Sequence, residues 1–208
     1  MNITLLGQLM TTTEFKTLDD IHPKGKRVLV RLDLNVPVKD GRVSDATRIA
    51  RSADTVRELR EMGARLILCS HFGRPKGGPE AAHSLAQVKP ALEQYFGASI
   101  AFAPDCIGPQ AEQMAGVLKD GEVLLLENTR FHAEEEKDDP KFAAALAHRA
   151  ELYVNDAFSV AHRANASTVG ITKFLPAYAG RAMEAELKAL GAVLGSPKRP
   201  VCAIVGGA

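Results

Sequence analysis

The sequence predicts a three-layer α/β protein, a parallel sheet with helices on both faces. Three observations predict it. Short apolar runs of strand length recur from residue 27 onward, amphipathic stretches of helix length separate them, and capping residues mark the ends of those stretches. With 208 residues, 46% of them apolar and 25% charged, the chain can bury a sizeable core.

The first run, RVLVRL (27–32), continues into VRLDLNVP (30–37). Alternation along a strand puts Val30, Leu32, Leu34 and Val36 on one face and Arg31, Asp33 and Asn35 on the other. From Ser44 a helical pattern aligns Ile49, Ala53, Val56 and Leu59, and Gly63 closes it. RLILCS (65–70) is the second strand. Ser84-Leu85-Ala86-Gln87 reads as a capping box, followed by Val88, Leu92 and Tyr95 before a closing Gly97. SIAFA (99–103) and EVLLLE (122–127) are the third and fourth strands, and Pro109 and Pro140 each suit the first turn of a helix. EEEKDD (134–139) reads as a solvated loop or helix start. ELYVNDA (151–157) is the fifth strand. A helix over 181–194 aligns Met183, Leu187, Leu190 and Leu194 before Gly195 and Pro197, and PVCAIV (200–205) is a sixth strand. Runs this rich in leucine and β-branched residues suit strands buried on both faces.

Composition removes several classes of function. Lys plus Arg is 26 and Asp plus Glu is 25, a net charge of +1, so there is no global basic field to bind nucleic acid. No apolar run approaches the ~20 residues of a membrane helix. The opening MNITLLGQLM lacks a basic region and a cleavage-like site, so it does not read as a signal peptide. Residues 1–13 read as an N-terminal extension, with Met10 an alternative start. Cys69, Cys106 and Cys202 are widely spaced with no CxxC, which suggests reduced thiols and a cytoplasmic protein. His22, His83, His132 and His148 have no metal-ligand spacing and read as surface or helix residues, so no metal site is expected.

The chemistry lies in the residues just after each apolar run, because open parallel sheets bind ligands beyond the carboxyl ends of their strands. Asp33 and Asn35 come after the first run. SHFGRP (70–75), with His71, Gly73 and Arg74, comes after the second; Arg130 after the fourth; and NDAFSVAHR (155–163), ending in His162 and Arg163, after the fifth. Arg48 falls in the first turn of its helix, where a cation opposes the helix dipole by roughly 0.3–1 kcal/mol. A single arginine after a strand is ordinary, His71 alone could be a structural histidine, and Asp33 could simply pair with Arg31. Together, however, these residues form a focused cationic site, and arginine suits a planar grip on phosphate or carboxylate. There is no GxGxxG, GxxxxGK[ST] or GxSxG and no cysteine beside a histidine. Asp33 is the one obvious carboxylate, which fits charge stabilisation better than an acid–base pair. On the residues alone, a stand-alone anion-binding module without catalysis is the alternative to an enzyme.

RVLVRLDLNVP, DATRI, SHFGRPKG, LLLENTRFHAEEEK, YVNDAFSVAHRA and the closing VGGA occur in the order found in phosphoglycerate kinases, and the chain resembles that family from about residue 14 to residue 208. The resemblance implies two Rossmann-like domains and reversible phosphoryl transfer between 1,3-bisphosphoglycerate and ADP, giving 3-phosphoglycerate and ATP in glycolysis. It implies a phosphoglycerate-binding domain over 14–180, an interdomain helix over 181–197, and over 198–208 the first strand of a nucleotide domain that the chain breaks off. Carried over by position, Asp33 and Asn35 hold the substrate's hydroxyl and glycerate backbone, and Leu34 between them also binds substrate. Arg74, Arg130 and Arg163, helped by His71, grip the 3-phosphate, Phe72 and Gly73 also bind substrate, Arg48 is catalytic at the carboxyl end, and Arg31 and His162 belong to the basic cluster. Gly206 and Gly207 begin the nucleotide site. Mg2+ would accompany ADP or ATP in a monomeric full-length enzyme, with no cofactor expected on this half and no turnover from it alone. Asn165 stands where the family often has a second histidine.

Overall fold

Residues 15–195, together with 197, 199, 200, 202 and 206, are described by the computed structural model. The elements in chain order are β1 (Arg27–Arg31), the hairpin β2 (Val38–Lys39) and β3 (Arg42–Val43), α1 (Thr47–Glu61), β4 (Arg65–Cys69), α2 (Lys89–Phe96) and β5 (Ile100–Phe102). Next come α3 (Gly108–Gly116), β6 (Val123–Leu125), α4 (Pro140–Ala147), β7 (Leu152–Asn155), β8 (Ala177–Ala179) and α5 (Arg181–Leu194). Six strands form one sheet in the order β5-β6-β4-β1-β7-β8, every pairing parallel.

That order fixes where the helices go. Crossovers between parallel strands are right-handed, so chain moving outward from β1 to β4 and on to β5 lays α1 and α2 on one face. The return through β6 to β7 lays α3 and α4 on the other. Two cores result. Val28, Val30, Leu66 and Leu68 pack with Ile49, Val56, Leu59, Leu92 and Phe96 on the first face. Leu29, Ile67, Leu124 and Tyr153 pack with Ala111, Ala115, Phe142 and Leu146 on the second. The three-layer α/β class is as the sequence predicts.

Several details differ. β1 stops at Arg31 because its partner β4 stops at Cys69, yet Leu32, Leu34 and Val36 stay buried beyond it. Ser84 accepts from Ala86 N at 3.1 Å and caps a 3-10 turn over Leu85–Val88, but Gln87 Nε2 donates to Ser84 O instead of closing the box. That extra turn shifts the phase of α2, leaving Tyr95 43% exposed and Phe96 buried. Within EEEKDD, Glu135 is fully buried rather than solvated. The hairpin and β8 are too short to give an alternating pattern. Of PVCAIV, Pro200 and Cys202 lie outside regular structure, while 201 and 203–205 lie outside the described residues, as do the extension 1–13 and Gly207. Among the described residues no helix is long and apolar enough to cross a membrane.

Candidate functional site: an arginine-lined cleft

β1 is the topological switch point: the chain first builds outward on its β4 side and later on its β7 side. Loops leaving β1, β4, β6 and β7 therefore meet over one edge. They enclose a cleft of about 340 Å³ lined by Asp33 and Asn35, Arg48 of α1, His71, Gly73 and Arg74, Arg130, and Ser159, Val160 and Arg163.

Asp33 is nearly buried and pairs with Arg48, whose Nη1 lies 3.1 and 2.9 Å from its two oxygens. Ser159 Oγ donates to the same carboxylate at 2.5 Å. The first turn of α1 thus aims Arg48 along the cleft, where Nη1 also donates to Asn35 O at 3.1 Å. Gly73 N donates to the Asn35 side chain at 2.9 Å, and Gly73 O accepts from Arg130 Nη1 at 2.9 Å. Only glycine suits that place: φ is +61° and a Cβ would come within 2.2 Å of His83. Asn128 ties the two loops together, accepting from Phe72 N and Arg130 N and donating to Phe72 O and His83 O.

Arg130 is mostly buried, paired with Glu136 at 3.0 Å, and its Nε has no hydrogen-bond partner. Burial pulls its pKa below the ordinary arginine value; Glu136 opposes this, and Arg163 and Arg31 add to it. Arg74 and Arg163 are exposed at the rim. His71 is pushed down to about 2, first by burial and then by Arg31, Arg130, Arg163 and Arg48. A cleft with this charge, holding a buried donor without an acceptor, suits an anion with several oxygens.

Other expected site residues fall elsewhere. Arg31 is 1% exposed and lies beneath the cleft, bonded to Leu32 O, Ser70 and Ser167, so it is no surface charge beside the site. It leaves Asp33 to Arg48. His162 is exposed and outside the cleft wall. Leu34 and Phe72 are core side chains whose backbone N–H groups go to Ser70 Oγ and Asn128 Oδ1. Asn165 is buried in a turn, its carbonyl accepting from Val169 N at 2.8 Å. Gly206 has no regular structure.

Sequence reasoning missed Ser159, Asn128, Ser70 and Asp156. Ser159 and Asp156 stand inside YVNDAFSVAHRA, and nothing but the fold shows what they face. Asp156 accepts from Ala182 N and Met183 N at the start of α5, and burial pushes its pKa up to about 6. A larger groove of about 650 Å³ beside α5 shares Asp33, Arg48 and Ser159 with the cleft and is also walled by Asp156 and Arg181. Away from both, the fold sets His132 2.7 Å from Asp105, with Cys106 close by, which linear spacing conceals.

Fold and site together define an α/β domain with an arginine-lined anion cleft at the carboxyl edge of its sheet. Comparison narrows this. The family model for phosphoglycerate kinase matches residues 18–208, and the chain belongs to the phosphoglycerate kinase family. It is 63% identical over 195 residues to the phosphoglycerate kinase of Sinorhizobium fredii and 60% over 194 to that of Rhodospirillum centenum. In each case the match covers 93% of this chain and 49% of the relative, so the chain spans about half the length of these relatives. Among solved structures, phosphoglycerate kinase from Coxiella burnetii superposes with a TM-score of 0.81 at 33% identity, over 89% of this chain and 46% of that one. The Pyrococcus horikoshii enzyme gives 0.81 at 32% identity, over 89% and 47%.

Proposed function

We propose that the cleft binds 3-phosphoglycerate or 1,3-bisphosphoglycerate and that the chain supplies the phosphoglycerate half of a phosphoglycerate kinase. The observation that carries this reading is the convergence of Arg48, Arg74, Arg130 and Arg163 on one cleft in a chain of net charge +1. Arg74, Arg130 and Arg163, with His71, grip the 3-phosphate. Asp33 and Asn35 meet the hydroxyl and the glycerate backbone. Arg48 faces the carboxyl end. Residues 14–180 are the binding domain, 181–197 the interdomain helix and 198–208 the start of the nucleotide domain.

In the ATP-forming direction the bond between phosphorus and the acyl oxygen breaks. A new bond forms from phosphorus to a terminal oxygen of ADP, and the substrate leaves as a carboxylate. That carboxylate, with a reference pKa near ~4, stays ionised at neutral pH, so no general base is needed in either direction. What remains is alignment and neutralisation of charge on the group in transit, the work proposed for Arg48. Magnesium would travel with the nucleotide. The cleft itself does not suit a divalent cation, because Asp33, its one wall carboxylate, is already committed to Arg48 and Ser159. On this reading the 208 residues alone bind without turnover.

Calorimetric titration of 3-phosphoglycerate into the chain should give saturable binding, reduced at least about tenfold, or about 1.4 kcal/mol, by Arg74→Ala or Arg130→Ala. A folded chain that takes up no 3-phosphoglycerate rejects the reading.

A further inference from the structure

Arg31, beneath the cleft, determines what His71 can offer above it. A guanidinium has only N–H groups to give and keeps its charge at any pH a protein survives. Its Nη2 stands 2.9 Å from His71 Nδ1. Nδ1 must then be the bare, accepting nitrogen, since an N–H there would face another N–H. The one ring proton is left on Nε2, which no described residue engages, and His71 lines the cleft.

Arg31 cannot swing away. It is 1% exposed, with Nε 3.0 Å from Ser167 Oγ and Nη1 on Leu32 O and on Ser70 Oγ. Having accepted from Arg31, the Ser167 hydroxyl donates to Glu135 Oε1 at 2.5 Å, and Ser167 N bonds the other oxygen at 3.0 Å. Glu135 is fully buried. It supplies the negative charge that a buried guanidinium requires, relayed through one hydroxyl.

We propose that Glu135, Ser167 and Arg31 are positioning residues that hold His71 as an uncharged Nε2–H donor toward the bound phosphate, whose charge is met by arginines alone. The proposal rests on the phosphoglycerate reading of the cleft for its ligand, though not for the state of the ring. The charged groups facing the ring agree: Arg31 from β1, Arg48 from α1, Arg130 after β6 and Arg163 after β7 all oppose a proton on it. Asp33, across the cleft, is neutralised by Arg48.

Side-chain 15N–1H correlation spectra of the 208-residue chain test this between about pH 8 and about pH 5. His71 should remain neutral with its proton on Nε2 throughout. A proton on Nδ1, or an imidazolium anywhere in that range, overturns the proposal. Ser167→Ala should loosen Arg31 and give His71 a mixed tautomer or a titration above about pH 5. An unchanged ring in that folded variant removes Ser167 and Glu135 from the positioning role. Should the variant not fold, the wild-type spectra still decide. If 3-phosphoglycerate fails to bind while His71 shows the expected tautomer, the assignment stands and the functional reading falls.

Discussion

At the scale of single residues, the cleft shows how partners redefine side chains. Asp33 sits within a carboxylate's reach of three polar groups, yet its charge is spent on Arg48, so the pair enters the site as an aligned unit. Arg48→Ala in an enzyme completed with the relatives' second half should therefore lower kcat by about 10²-fold or more, with a much smaller change in KM. A large rise in KM with kcat preserved would instead make Arg48 a binding residue. Asp156 offers a test by pH. Its carboxyl ionises near 3.8 when unfolded and about 6 when folded, so the folded chain holds this proton more tightly. Stability from this group is present below pH 3.8 and lost as pH rises toward 6, by about 3 kcal/mol. Asp156→Asn keeps an acceptor for Ala182 N and Met183 N and removes that loss. Denaturation midpoints of variant and wild type should diverge in the variant's favour across that interval; parallel curves would contradict the buried, proton-holding Asp156. None of this was legible in the sequence, where Asp156 stood as one more residue in a run after a strand. Arg74 and Arg130 were legible, because a position after a buried strand is already an address in a parallel sheet.

At the scale of elements, α5 is held by its first turn. Arg181 donates to Glu58 of α1 at 2.8 Å, to Asp19 at 2.7 Å and to Glu184 at 2.8 Å, and Arg181 N bonds Thr55 Oγ1 at 2.8 Å. Met183 and Glu184 are buried there, while Leu190, Val193 and Leu194 at the far end are 43%, 54% and 80% exposed. Arg181→Ala should accordingly free the start of α5, raising its amide hydrogen exchange severalfold for a global loss of about 1 kcal/mol, since the side chain is only partly shielded. Exchange unchanged in α5 would mean that Asp156 and Met183 suffice as anchors. The helix itself was plain in the sequence from its apolar spacing and closing Gly195. Its clamp was not, because Asp19, Glu58 and Arg181 lie on three separate elements.

At the scale of the molecule, a nearly neutral chain sets four arginines, Arg48, Arg74, Arg130 and Arg163, around one cleft at one edge of its sheet. The attraction is local, so it should fade as the screening length shrinks. Raising ionic strength from about 0.05 to about 0.5 M should weaken 3-phosphoglycerate binding by about tenfold, with the fold unchanged by circular dichroism. Binding indifferent to salt would place the ligand's charge somewhere other than the arginine cleft.

The sequence by itself determined the layers, five of the six strands of the sheet, the crossover helices and the loops that carry Asn35, Arg74, Arg130 and Arg163. Those come from the period of apolar residues and from the rule that ligands meet the carboxyl ends of parallel strands. Only the tertiary structure decided that Arg31 is buried under His71, that Glu135 leaves its charge run for the interior, and that Asp33 turns to Arg48. Periodicity reports which face a residue takes, whereas its partner depends on strand order, which brings β1, β4, β6 and β7 together across the whole length of the chain.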